Sequence, residues 1–285
     1  MRAVSLHRDV LVVTSAVLQV NCVIVRGRGG EEGASAGGSA RAGRAGGSSG
    51  AEPASETFVV DSPVLPDELD ALPALIEQAR FPAPSGLLAT HSDWDHLLGR
   101  LAFPDLVLGC AESTAERLLA APGEAQRELR AFDEELMIER PRPLALGSVQ
   151  ALPVPGRCEI GAWGLELHEA SGHTVDGMAI WIPWARVLIA GDYLSTVEIP
   201  TLNAGDSVDA YLATLERLRP LLVETEHVVP GHGPVTDADR ALGVLEEDAA
   251  YLNELRQNGA AAELPVSRRA PHQRVIHAQN ARAYT

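Results

Sequence analysis

Apolar and polar positions along the chain outline most of its elements before any chemistry is considered. Val10 to Thr14 and Val20 to Val25 are short runs rich in β-branched residues and predict two strands. Gly27 to Ser55 is dominated by Gly, Ala and Ser with scattered charge. Such a stretch buries too little surface to offset the entropy of ordering it, so a flexible insertion is expected over 27–56. Thr57 to Val60 predicts a strand ending at Asp61. From Pro66 to Arg80 the apolar positions Leu69, Leu72, Leu75 and Ile76 share one helical face, with Pro66 suited to the first turn. Gly86 to Thr90 is an apolar strand running straight into His91. Leu106 to Leu108 predicts another strand, and Glu112 to Ala120 and Glu124 to Ile138 predict helices.

The second half repeats the plan loosely. Strands are expected at Val149–Leu152, Leu165–Ala170, Ala179–Ile182, Val187–Ala190 and His227–Val229, and helices at Val208–Arg217 and Ala238–Gln257. Two halves of strands with interspersed helices imply an α/β protein with a sheet-on-sheet core and helices outside. One domain over residues 1–260 accounts for this pattern. The tail, 261–285, is Arg- and Ala-rich, weakly patterned, and expected either to pack on the domain or to be partly ordered.

Composition narrows the function classes. Apolar residues are 46% of the 285 positions, enough for a large core, while aromatics are only 4%. The formal net charge is −16 and every basic residue is Arg or His, since the chain contains no Lys. A nucleic-acid partner requires dense positive charge, so none is expected. Cys22, Cys110 and Cys158 are far apart, contain no Cys-x-x-Cys pair, and read as reduced thiols. The apolar stretch Val10 to Val25 is broken by Thr14, Ser15, Gln19 and Asn21 and preceded by Asp9, unlike a secretory signal or a membrane span. A cytoplasmic protein acting on a small molecule, without membrane attachment, is expected.

Candidate chemistry concentrates at strand ends. His91 and His96 lie in Thr-His-Ser-Asp-Trp-Asp-His, His173 in Ser-Gly-His-Thr and His232 in Pro-Gly-His-Gly, while Asp192 follows the run Val187 to Ala190. Loops at strand ends are where a rigid scaffold presents functional groups. Imidazole and carboxylate together are the usual ligands of zinc, iron or manganese. Four ligand-type residues within His91 to His96 are dense enough to serve two ions, His91 and Asp93 facing one, Asp95 and His96 the other.

Thr90 to His96 resembles the His-x-His-x-Asp-His signature of the metallo-β-lactamase superfamily. The motifs at His173, Asp192 and His232 follow in that family's order, and Asn21 to Val25 and Val59 to Asp61 are similar to its early strands. The likeness runs from about residue 10 to 240. It implies an αββα sandwich of two mixed β-sheets flanked by helices, with two divalent metals at one sheet edge. His91, Asp93 and His173 would hold the first, Asp95, His96 and His232 the second, and Asp192 would bridge them. It further implies hydrolysis of a small ester, thioester or lactone by a bridging hydroxide; Asp95, bordering the metals, is either the group that passes a proton to the leaving group or a plain ligand. Asp192 resembles the glyoxalase II, lactonase and phosphodiesterase branches more than the true β-lactamases.

Asp93 departs from the family, standing where a second histidine is usual. Counted from the ligands alone, two divalent ions are balanced by three carboxylates and a hydroxide. That balance weakens Lewis acidity and favours a harder ion, iron or manganese, over the zinc otherwise expected. Flavodiiron proteins also resemble this chain in placing a carboxylate there, so non-heme iron oxidoreduction, including persulfide oxidation, is one alternative. A phosphodiesterase is another, disfavoured by the acidic chain, and a non-catalytic binding protein is a third, against which the full ligand set argues.

Other residues stay open. Tyr193 would polarise a substrate carbonyl or point into the core, the latter being commoner beside a strand-end ligand. Trp94 would wall the pocket or pack under its loop, and Trp163, Trp181 and Trp184 are expected in packing. Leu129, Phe132, Leu136 and Met137 would line a pocket or a homodimer interface. His272 and His277 are expected to be structural. Because the strand ending at Asp61 approaches the metals, the insertion must lie at the opposite end of its hairpin. Deleting residues 30 to 54 should therefore leave specific activity unchanged in a direct assay of the truncated protein.

Overall fold

The computed structural model describes residues 1–29, 54–202 and 207–283; most of the expected insertion lies outside the described residues. Strands β1 (Arg2–His7), β2 (Val10–Thr14), β3 (Asn21–Gly27), β4 (Glu56–Val60), β5 (Gly86–Leu88), β6 (Leu108–Ala111) and β7 (Val149–Leu152) form one sheet in sequence order. Its first four strands pair antiparallel and the rest parallel. Strands β8 (Gly156–Ile160), β9 (Trp163–Glu169), β10 (Met178–Ile182), β11 (Val187–Gly191) and β12 (His227–Pro230) form the second sheet in the order β12-β11-β10-β9-β8. Only β11 and β12 pair parallel there.

The strands read as continuous apolar runs because both faces are buried. Val23 and Val25 of β3 face the layer between the sheets, where they meet Ile180, Val187 and Ile189. Cys22 and Ile24 of the same strand face outward. They pack with helix α1 (Pro66–Gln78), the short α2 (Gly99–Ala102), α3 (Glu112–Ala120) and α4 (Glu124–Leu136), through Leu69, Leu72, Ile76 and Leu129. On the other sheet, Ala179, Leu188 and Ala190 pack outward against α5 (Val208–Leu222) and α6 (Ala238–Asn258). This is the αββα sandwich. Each buried aliphatic side chain contributes roughly 1.5–3 kcal/mol. An exposed ion pair such as Arg186–Glu226 contributes less than about 1. Packing between layers therefore dominates.

The structure contains four elements not expected from the sequence, β1, α2, β8 and α7, and moves a fifth. Strands β1 and β8 are sheet edges with largely exposed faces, so their Arg and Glu positions carry no burial signal. The strand expected at Leu106–Leu108 begins instead at Leu108, and Gly109 and Ala111, poor strand formers, are held by parallel pairing with β7. The weakly patterned tail forms α7 (Pro271–Ala283), which packs Ile276 and Ala281 on the domain and is otherwise tied down by polar side chains. Asn280 accepts the Leu202 N–H and donates to the Pro200 carbonyl, and Gln273 donates to the Val197 carbonyl. His272 also bonds the Val197 carbonyl, and His277 bonds Tyr251. Among the described residues no helix is long and apolar enough to cross a membrane, and all three cysteines are free.

Arg268, fully buried, ties this tail to the segment after β11. Its guanidinium lies 2.6 Å from Asp248 and donates to the Ser195 and Glu198 carbonyls. Burial pushes the Asp248 carboxyl up to about 7 against the pull of Arg268. An acid whose folded value is raised favours the folded state below its unfolded value and loses that contribution as pH rises through the folded one. The stability of wild type relative to Asp248→Asn should thus fall between about pH 4 and 7, read as the difference in their melting temperatures. A flat difference across that range would contradict it.

Candidate metal centre

The strand ends delivering the candidate residues meet at one edge of the sandwich. His91, Asp93, Asp95 and His96 follow β5, where the chain passes through one turn of 3-10 helix at Trp94–His96. His173 lies between β9 and β10, Asp192 directly follows β11, and His232 follows β12. The two sheets are stitched together here. Asn21 at the start of β3 donates to the Pro230 and Gly233 carbonyls, and the Met178 N–H donates to the Thr90 carbonyl. Gly231 is required by space, since a Cβ there would meet Asp192 Oδ1 at 1.8 Å.

All seven sequence-predicted residues converge. Asp192 Oδ2 lies 3.7 Å from His91 Nε2, 3.2 Å from His173 Nε2 and 3.3 Å from His232 Nε2, while its Oδ1 lies 3.2 Å from His96 Nε2. Asp93 Oδ2 is 3.7 Å from His91 Nε2 and 3.6 Å from His173 Nε2. Asp95 Oδ2 is 3.8 Å from His96 Nε2 and 3.3 Å from His232 Nε2. Two groups result, His91, Asp93 and His173 on one side and Asp95, His96 and His232 on the other, with Asp192 between them.

The outer nitrogens decide what the inner ones can do. His232 Nδ1 is 2.8 Å from the Leu18 carbonyl, which can only accept, so Nδ1 carries the proton. His96 Nδ1 is 3.0 Å from the Asp61 carboxylate, with the same consequence. Thr90 gives its hydroxyl proton to Asp61 and therefore accepts from His91 Nδ1 at 3.0 Å. Each ring then offers an Nε2 lone pair inward, the arrangement of a metal-ligating histidine. The Nε2 atoms of His91, His96 and His173 and the Oδ1 of Asp192 are buried and have no hydrogen-bond partner among the described residues. Divalent cations fit this donor set.

Electrostatics point the same way. Burial pushes the Asp192 carboxyl up, but the four surrounding imidazoles outweigh it and hold the group well below the usual carboxylate range. Asp93 is likewise held low against burial by His173 and His91. Burial opposes charge on His96, His173 and His232, yet Asp192 with its neighbouring carboxylates raises all three well above the ordinary imidazole range. Without a cation, the carboxylates retain protons on rings that would otherwise be neutral, and a metal would take the place of that positive charge.

Four supporting residues were absent from the sequence reading of the site. Asp61, with φ of +54°, accepts from the Thr90 N–H at 2.8 Å, from the Thr90 hydroxyl and from His96. Asp176 accepts from the Ser92 N–H and hydroxyl, both at 3.1 Å, and from Arg117 at 2.9 Å. Arg117 also lies 3.6 Å from Asp93 Oδ1, while its nearer partner, the Asp176 carboxylate at 2.9 Å, offsets its charge. Glu198 Oε1 is 3.8 Å from His232 Nδ1 and forms a third cluster of ligand-type side chains with Asp192 and His232. Asp61 alone had a signal, a carboxylate at a strand end on the metal side. Tyr193 turns into the core, where its hydroxyl accepts the His173 N–H at 2.9 Å. Trp94 packs on Phe132, ring centres 4.6 Å apart. Leu129 is buried, whereas Leu136 and Met137 are exposed. Trp163 packs on Trp184 and Trp181 is buried.

Comparison with known proteins follows this geometry. The family model of the metallo-beta-lactamase superfamily matches residues 82–232. A metallo-beta-lactamase type 2 from Bacillus sp. (strain 170) is 30% identical over 83 residues, 28% of this chain and 32% of that protein, so the match spans about a third of that relative's length. The crystal structure of TTHA1623 in a di-iron-bound form is 22% identical, with a TM-score of 0.55 over 82% of this chain and 97% of that one. The inverting sec-alkylsulfatase Pisa1 from Pseudomonas sp. is 14% identical, with a TM-score of 0.70 over 99% of this chain but only 49% of that one.

Asp61→Asn places a donor where three protons now point. The substitution should weaken metal binding roughly 10- to 100-fold in a chelator competition, the usual cost of losing a ligand's outer partner, while the circular dichroism spectrum stays unchanged.

Proposed function

We propose a function from one premise: the chain belongs to the metallo-beta-lactamase superfamily. It is a metal-dependent hydrolase, and His91, Asp93, Asp95, His96, His173, Asp192 and His232 are its metal ligands. The observation that carries this is the inward Nε2 lone pair of three rings whose Nδ1 atoms are pinned, gathered around one buried carboxylate. Two divalent ions bound there supply a water nucleophile that ionises near neutral pH and a Lewis acid for the developing oxyanion. Zinc is the expected pair, with iron or manganese as the alternatives that the oxygen donor of Asp93 favours.

The chain's own groups prepare the rest. Asp192 sets the spacing of the two ligand groups, and Thr90, Asp61 and the Leu18 carbonyl orient the imidazoles. Asp95, buried beside His232 and His96, takes up the proton of the attacking water and returns it to the leaving group. The substrate is a small ester, thioester or lactone. A strongly anionic phosphodiester suits a chain of net charge −16 less well. Iron-based oxidoreduction is the second reading, supported by the carboxylate at Asp93 in the first ligand group.

The protein purified without added metal should carry about two equivalents of transition metal by elemental analysis. Thioesters, lactones and phosphodiesters assayed with zinc, manganese and iron should show turnover in the first two classes. A chelator should abolish that turnover and re-addition of metal should restore it. Oxygen consumption by the iron form, without hydrolysis of any of these substrates, would instead establish the second reading.

A further inference from the structure

Asp93 poses a problem that an imidazole at the same position does not. A ring has one inward donor and one outer nitrogen that can be tied down, as His91, His96 and His232 show. A carboxylate has two equivalent oxygens on a short stem. It can swing, chelate through both, or draw a cation off centre, and it brings a full negative charge. Asp93 is also the most exposed of the seven, its side chain 27% accessible against 10% or less for Asp95 and Asp192.

Arg117 addresses both difficulties. It projects from α3 toward the loop carrying Asp93, and its NH2 lies 3.6 Å from Asp93 Oδ1 while Asp93 Oδ2 faces His91 and His173. The guanidinium is not free to follow a moving partner, because NH1 donates to Asp176 at 2.9 Å. Asp176 is itself buried and bonded to the N–H and hydroxyl of Ser92, the residue preceding Asp93. A rigid frame therefore reaches the outer oxygen of Asp93 from behind. Two carboxylates sharing one guanidinium is a geometry that suits Arg and its planar fork, and Lys reproduces it poorly.

We propose that Arg117 is the positioning residue of Asp93, pairing electrostatically with its Oδ1, bringing beside the first metal position a guanidinium that it shares with Asp176, and leaving Oδ2 as the single inward donor. The inference rests on the metal-centre reading above and adds a requirement to it: carboxylate ligand and guanidinium form one unit, and neither is complete without the other.

Titration with Co2+, followed by calorimetry and by the visible absorption of the bound ion, tests this on the full chain. Wild type should bind two equivalents. Arg117→Ala should weaken one of the two roughly 10- to 100-fold, leave the other unchanged, and alter the visible bands as coordination at that position changes. Arg117→Lys, which keeps the charge, should recover part of the affinity. In an Asp93→His background, where no second oxygen needs holding, adding Arg117→Ala should change the affinity by less than about threefold. Arg117 is partly exposed, so its truncation leaves the core intact, and melting of the metal-free variants checks this. Wild-type affinity and bands in Arg117→Ala, or an equal loss in both backgrounds, would overturn the proposal. Failure of wild type to bind Co2+ at all would instead remove the metal-centre reading, and Arg117's role with it.

Discussion

Concentrated negative charge in a buried place governs this protein. Asp93, Asp95 and Asp192 face one small volume, and Asp61 stands directly behind it. Carboxylates removed from water require compensating charge or protons, and isolated ones are too costly to keep. The four histidines are placed to meet that need. Their inner nitrogens accept a proton or a metal, while their outer nitrogens are committed to Thr90, Asp61 and the Leu18 carbonyl in three of the four cases.

The rest of the fold serves this arrangement by making one sheet edge rigid. Parallel pairing of β4 with β5, and of β11 with β12, brings four strand ends to the same side. Asn21 and the Met178–Thr90 bond lock the two sheets together there, and the absence of a Cβ at Gly231 admits the Asp192 carboxylate. Helices on both outer faces bury the apolar sides of the sheets, and two of them also reach the centre, α3 through Arg117 and α5 through Tyr211, whose hydroxyl donates to the Asp192 carbonyl. The tail reaches it indirectly, through Arg268 and Gln273, which hold the backbone of the segment containing Glu198.

Charge balance at the first metal position changes once Arg117 is in place. Ligand counting along the chain leaves the site neutral, because Asp93 adds a carboxylate where a neutral ring is usual. The guanidinium beside it brings a counter-charge to Asp93 that it shares with the nearer Asp176 carboxylate. The carboxylate at Asp93 is thus accompanied by a guanidinium supplied from helix α3. That pairing is the kind expected when local chemistry must agree with its surroundings.

Local periodicity determined most elements, because strands buried on two faces and helices with one apolar face carry their burial in their sequence. The ligands themselves were legible for a similar reason: His91 to His96 packs four donors into six residues, and the others sit in short glycine motifs after apolar runs. Elements whose stability comes from outside were not legible. Edge strands β1 and β8 borrow their order from a single neighbour, and α7 is held by side-chain bonds to distant backbone. Asp176 and Arg117 were hidden for the same physical reason. Each acts on a ligand from another part of the chain, and a lone Asp or Arg has no pattern until packing brings it within about 3 to 4 Å of its partner. The donors were determined by sequence; their tautomers, orientation and net charge were decided only by tertiary structure.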